Sequence, residues 1–272
     1  LYRQEPALSQ WKDASRFSMK GTEVAFGTIG NASAAEGLFW ESLNAAGVLQ
    51  IPFALSVWDD EYGISVPNEL QITKRSLSEL LQGFASSSDA KGFDLYTVKG
   101  FDYEALLSTY ARAITKCRKE HVPCFIHVTH MTQPQGHSTS GSHERYKSPE
   151  RLQYEESIDC VKKMREWLTE RQIATPSQLD DIEAHCSDQV EQERQEAWDA
   201  FQGAIRAKKN RLVAILQKLA SDQDVTLQAH INNLEARPTL LYRDLYSTAH
   251  KVIYCIAGKG MTEVSDFLRE LK

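Results

Sequence analysis

The chain has 272 residues, 42% of them hydrophobic and 25% charged, with 31 Lys and Arg against 37 Asp and Glu and a formal charge of −6. Nothing in that balance points to the basic face a nucleic-acid binder needs, and the apolar content is enough for a full core. No apolar run approaches the roughly 20 residues that cross a bilayer, which leaves no membrane role to expect.

The first residues have no signal-peptide layout, so the cytoplasm is the expected compartment. The five cysteines (Cys117, Cys124, Cys160, Cys186 and Cys255) contain no CxxC pair and read as reduced packing thiols. Leu1 is not an initiator methionine, and the chain enters at a polar segment shortly before its first motif.

Glu23 to Ile29 is an apolar, β-branched run long enough for a buried strand, and Gly30-Asn31-Ala32 then turns the backbone with almost no side-chain bulk. Ser33 and Glu36 have capping-box spacing, which predicts a helix from there to about Val48 with its unpaired N–H groups facing the turn. Such an end attracts anions, phosphates in particular. A second strand, Phe53 to Val57, leads into Trp58-Asp59-Asp60-Glu61-Tyr62. Parallel strands joined by a crossover helix carry their loops at one sheet edge, so Asn31 and Asp60 converge there although they are distant in sequence. An amide, a carboxylate and a backbone carbonyl are hard oxygen ligands that suit Mg²⁺ held by a diphosphate. On the residues alone, a solvated loop carrying two acids remains the alternative.

Downstream the alternation continues. Ser76 and Glu79 box a helix over Leu77 to Phe84; Phe93 to Val98 is a strand; Asp102 caps a helix to about Glu120; Pro123 to Thr129 is a strand. This order predicts an α/β fold with a mostly parallel sheet and helices on both faces. Met131 to Lys147 is a long Ser-, Gly- and His-rich loop, of a length that is functional or mobile. Ser148-Pro149 then starts a helix to about Arg171, and Thr175 to Gln178 starts another. From Leu179 to about Ala220 sparse apolar residues amid many charges predict helices packed on one side. His127, His130, His137 and His143 with Cys124 fit no standard zinc spacing. AGKGMT around Lys259 lacks the leading glycine and Lys-Ser/Thr step of a phosphate loop, and GTIG is not a dinucleotide fingerprint.

GNASAAEGLFWESLNAAGVLQIP followed by DDEYGISVP resembles the thiamine-diphosphate motif of the α subunit of the 2-oxo acid dehydrogenase first component, the decarboxylating enzyme of pyruvate and branched-chain complexes. GHSTSGSHERY is similar to that family's Gly-His-Ser loop over the cofactor. The resemblance implies a thiamine-diphosphate-binding fold followed by a helical C-terminal region. It divides the chain into a cofactor domain over residues 1–147, its amino-terminal part missing, a helical extension over 148–236, and a terminal segment over 237–272 that could lead to a β part.

It implies Mg²⁺ ligation by Asn31, Asp60 and the Tyr62 carbonyl. The amide stands where the family has its acidic ligand and the acid where it has asparagine. Diphosphate contacts fall to Gly30, Ala32, Ser33, Trp58 and His137, with His137 as the active-site histidine and Ser138 at a position phosphorylated in regulated relatives. Two departures stand out: Ala32 replaces a glycine, and Trp58 replaces a polar residue able to reach the diphosphate. The implied activity is decarboxylation of a 2-oxo acid and transfer of the acyl group to a lipoyl acyltransferase component, in an oligomer with a β subunit or fused β part. A non-catalytic assembly subunit and an acetoin-cleaving relative are the alternatives.

Overall fold

Four short runs rich in Val, Ile, Phe and Thr build one sheet, and glycine, proline and polar residues mark where the chain leaves it. The computed structural model describes residues 5–134, 136–137, 142–220, 224–256 and 261–271. In chain order the elements are α1 (Pro6–Ser9), β1 (Ala25–Gly30), α2 (Gly37–Leu49), β2 (Phe53–Trp58), β3 (Tyr62–Gly63), β4 (Val66–Pro67), α3 (Leu77–Leu80), β5 (Asp94–Lys99), α4 (Tyr103–Glu120), β6 (Cys124–Thr129), α5 (Pro149–Ser157), α6 (Cys160–Glu170), α7 (Pro176–Leu219), α8 (Val225–Ala236), α9 (Tyr242–Cys255) and α10 (Met261–Glu270). They fall into two units, Leu1–Thr175 and Pro176–Lys272.

In the first unit the sheet order is β1-β2-β6-β5 and every pairing is parallel. Alternate residues of β6 serve opposite faces: Phe125 joins Phe39 and Leu43 of α2 and Leu77 of α3, whereas Cys124, Ile126 and Val128 join Ala113 and Cys117 of α4. Helices therefore cover both faces, as the α/β alternation predicts, and the central strands β2 and β6 are mostly apolar, interrupted by buried Ser56 and His127, because neither side meets water. By contrast β1, expected as a buried strand, is an edge strand with Phe26 and Thr28 exposed. The step from β1 to β2 through α2 and the step from β5 to β6 through α4 advance in opposite directions across the sheet. They run toward each other and bring the carboxyl-terminal ends of β2 and β6 side by side at the centre of the sheet edge. Asp59 stands there: its N–H donates to the Val128 carbonyl at 2.9 Å, and its own carbonyl accepts the Met131 N–H at 3.2 Å.

Three helix expectations are corrected. The helix predicted from Ser33 starts at Gly37, because residues Ser33–Ala35 form a tight 3-10 turn and Glu36 is extended (φ −76°, ψ 150°) with no side-chain cap bond. The N–H groups of Ala34, Ala35 and Glu36 are consumed by the carbonyls three residues back. The helix over 77–84 is α3 followed by a 3-10 turn, although Ser76 caps it through the Glu79 N–H as predicted. The helix predicted to run from Ser148 to Arg171 is two helices, since Asp159 leaves helical geometry and caps α6 by accepting the Lys162 N–H at 2.9 Å. Asp102 caps α4 as predicted, through the Ala105 N–H at 3.0 Å.

The second unit is helical. Leu227, Ile231 and Leu234 of α8, Leu245, Ala249 and Val252 of α9, and Val264 and Phe267 of α10 recur at helical spacing and bury one stripe each against Ile205, Leu212 and Leu216 of α7. Asp224 starts α8 by accepting the Leu227 N–H at 3.0 Å, and α8, α9 and α10 each pack on a helix adjacent to them in the chain. Among the described residues, no helix is long and apolar enough to cross a membrane.

Candidate functional site

Gly30 ends β1 opposite Trp58 at the end of β2, so the chain segments that follow both strands emerge side by side. The Asn31 N–H donates to the Trp58 carbonyl at 3.3 Å, and a Cβ placed on Gly30 would meet nothing within 4 Å, so this position faces open space. Ala32 is in ordinary helical geometry (φ −64°, ψ −41°) and has no conformational need for glycine. Its bulk is accommodated elsewhere: a Cβ on Gly63 would lie 2.7 Å from the Ala32 Cβ, so the β3–β4 hairpin packs on Ala32 only because residue 63 has no side chain. Among the described residues, no backbone hydrogen bond of the turn engages the N–H groups of Ala32 and Ser33.

The three implied metal ligands are neighbours. The Asn31 amide nitrogen donates to the Tyr62 carbonyl at 3.1 Å, and the Tyr62 N–H donates to Asp60 Oδ1 at 3.2 Å. Asp60 is buried, and among the described residues its Oδ2 has no hydrogen-bond partner. Burial pushes its carboxyl above the usual carboxylate range, against the pull of the Tyr62 N–H and of His137 and Lys147. His137 Nε2 is 3.6 Å from that same Oδ2. A buried carboxylate oxygen without a hydrogen bond is costly unless something cationic meets it, and His137 stands at ion-pair distance, beyond hydrogen-bond reach. Among the described residues, no group of three or more His, Cys, Asp or Glu could hold a metal ion. A cation at this turn would therefore depend on Asp60 together with amide and carbonyl oxygens, a donor set that fits Mg²⁺ better than zinc.

Trp58 is placed differently. Its indole N–H donates to Ser56 Oγ at 3.0 Å, and its half-exposed ring lines an apolar cavity of about 390 Å³ with Tyr103, Leu107, Tyr110 and Met131, on the α4 face of the sheet. Ser138 lies outside the described residues.

Sequence reasoning missed the residues that hold the turn in place. Lys147 donates from Nζ to both carboxylate oxygens of Glu155 at 2.8 Å, both side chains being buried, and lies 4.7 Å from the centre of the Tyr62 ring. Arg151 pairs with Glu61 and Glu155, donates to the Asp60 carbonyl at 3.1 Å, and covers the Tyr62 ring at 5.4 Å. The start of α5 thus clamps the backbone of 60–62. Asp59, Asn68 and His127 form a second buried cluster beneath it. The signal for His127 was present: one histidine in an otherwise apolar strand requires a buried partner.

A model of the dehydrogenase E1 component family matches residues 3–206. The α subunit of the pyruvate dehydrogenase E1 component from Mycoplasma pneumoniae is 26% identical over 178 residues, 65% of this chain and 46% of that protein. The α subunit of 3-methyl-2-oxobutanoate dehydrogenase from Mycobacterium tuberculosis is 27% identical over 159 residues, 58% and 40% of the two chains. The α subunit of acetoin:2,6-dichlorophenolindophenol oxidoreductase from Cupriavidus necator is 25% identical over 185 residues, 68% and 53%. The chain spans about half the length of these curated relatives.

Proposed function

Since the chain belongs to the dehydrogenase E1 component family, we propose that it is the diphosphate-binding half of a 2-oxo acid dehydrogenase first component that uses thiamine diphosphate and Mg²⁺. The observation that carries this reading is the buried Asp60 Oδ2, without a hydrogen-bond partner among the described residues, beside the Tyr62 carbonyl and Asn31 at the carboxyl-terminal edge of a parallel sheet. Asp60, the Asn31 side-chain oxygen and the Tyr62 carbonyl would hold Mg²⁺. The N–H groups of Ala32 and Ser33, next to the open space over Gly30, would hold the diphosphate. The electron sink that decarboxylation of a 2-oxo acid requires would be supplied by thiamine diphosphate bound there.

His137, within reach of Asp60, would hold or move a proton at Nε2 near the diphosphate. Lys147 and Arg151 keep the 60–62 backbone in place. In the family that the sequence resembles, the glutamate that activates the cofactor's aminopyrimidine belongs to the β part, so the chain would work with a β subunit or fused β part and pass its acyl group to a lipoyl acyltransferase component. The likeness to the acetoin:2,6-dichlorophenolindophenol oxidoreductase α subunit favours a second reading, cleavage of acetoin with the same machinery.

The test is calorimetric titration of thiamine diphosphate into the chain co-expressed with its β part, with and without Mg²⁺, followed by assays of CO₂ release from 2-oxo acids and of acetoin cleavage. Mg²⁺-dependent binding with CO₂ release supports the first reading, and binding with acetoin cleavage alone supports the second. Absence of binding would leave a non-catalytic assembly subunit.

A further inference from the structure

Four polar side chains, Asn31, Asp59, Asn68 and His127, are each at least 95% buried behind the turn, where an unbonded polar group is costly. The direction of every bond among them follows from Asp59, because an ionised carboxylate only accepts. Asp59 Oδ1 accepts the Glu61 N–H at 2.7 Å and Asn68 Nδ2 at 3.0 Å; Oδ2 accepts Asn68 Nδ2 at 3.1 Å and His127 Nε2 at 2.9 Å. With its NH₂ committed to Asp59, Asn68 turns its Oδ1 to Asn31 and accepts Nδ2 at 2.7 Å. The other acceptor of Asn31 Nδ2 is the Tyr62 carbonyl, which also cannot donate. Both amide hydrogens of Asn31 are thereby used, and among the described residues nothing donates to its Oδ1. Behind Asp59, His127 Nδ1 meets Ser78 Oγ at 2.6 Å, which fixes the ring.

We infer that Asn68 is a positioning residue, held by Asp59 and His127, that locks the Asn31 amide with its NH₂ turned inward and its carbonyl oxygen left for a ligand. A carboxylate at residue 31 would offer oxygen at either end. An amide has one wrong end, so a cation site that uses Asn31 needs a partner that decides which end faces out. The consequence for the cation rests on the function proposed above; the orientation of Asn31 does not.

The variants are Asn68→Ala, Asn68→Asp and the double exchange Asp59→Asn with Asn68→Asp. Asn68→Asp sets two carboxylates against each other with no donor between them. The double exchange restores the chain of bonds, since the amide introduced at position 59 would donate to the carboxylate introduced at position 68, and that carboxylate would still accept from Asn31. Two readouts are taken: solvent exchange of the Asn31 side-chain NH₂ by NMR in the metal-free chain, and Mg²⁺-dependent affinity for thiamine diphosphate in the chain with its β part. We expect both single Asn68 variants to speed exchange and weaken binding by about tenfold, the value of roughly one buried hydrogen bond, and the double exchange to recover most of each loss. Unchanged NH₂ exchange in Asn68→Ala overturns the inference, as does a double exchange that is no better than Asn68→Asp. If the wild-type pair binds no cofactor, the proposed function falls, while loss and recovery of NH₂ protection would still establish Asn68 as the residue that orients Asn31.

Discussion

Lys147→Met removes a buried ammonium while keeping most of its apolar stem, so it isolates the charge that holds α5 against the Tyr62 turn. The side chains of Lys147 and Glu155 are 2% and 5% exposed, and Nζ lies 2.8 Å from both carboxylate oxygens. Breaking such a buried pair costs about 3–5 kcal/mol, because the remaining charge is left without compensation. Arg151 Nε stays bonded to Glu155 at 2.6 Å, which places the loss near the lower end, about 3 kcal/mol. With a urea dependence of about 2 kcal/mol per molar, the midpoint should fall by about 1.5 M. The chain has five tryptophans, of which Trp198 alone lies in the second unit, so fluorescence in a Trp198→Phe background follows the first unit selectively. Adding Glu155→Gln removes the stranded charge and should recover more than half of the loss. A fall below about 1 kcal/mol in the single variant, the range of surface pairs, would refute the charge argument. So would a double variant as unstable as the single.

Asp60→Asn should raise the melting temperature of the metal-free chain at pH 7. Burial raises the folded-state pKa of Asp60 above the unfolded value, so its ionised form opposes folding at neutral pH. That penalty fades as pH falls through the raised pKa toward the ordinary aspartate value of 3.8, and the gain from Asp60→Asn should shrink as the pH is lowered from neutral toward that value. Equal gains at both ends of that range would contradict the burial argument. Gly63→Ala should destabilise the first unit by about 1–3 kcal/mol through contact with the Ala32 Cβ, and Ala32→Gly should relieve much of it. Additive losses in urea unfolding would show that the two positions do not meet.

The central strands and their order of helices were legible because buried parallel strands are largely apolar runs that need no long-range information to recognise, whereas the exposure of β1 was not, because nothing local marks it as the edge of the sheet. The convergence of Asn31 and Asp60 was legible for a related reason: the crossover rule fixes which loops share an edge. Ser33 and Glu36 misled because capping-box spacing describes a local option, and the 3-10 turn that packs against the hairpin at Gly63 takes precedence. Asn68 was invisible, since nothing local marks an asparagine after Pro67 as the partner of a residue 37 positions earlier. Asp59 read as half of an acidic pair, yet its hydrogen bonds run to His127 and Asn68, while the oxygen without a hydrogen bond among the described residues is on Asp60. Lys147, Arg151 and Glu155 follow helical spacing that signals an ordinary exposed pair, and only burial against Tyr62 gives them their role.

Shared ligation by Asn31 and Asp60 is tested most directly by a double-mutant cycle, read as the Mg²⁺-dependent affinity of the chain and its β part for thiamine diphosphate. Asp60→Asn leaves no side-chain carboxylate among the three ligands and should weaken binding more than about tenfold, whereas Asn31→Asp with Asp60→Asn returns one carboxylate and one amide and should recover much of the loss. Losses that simply add in the double variant would contradict a common cation between the two residues.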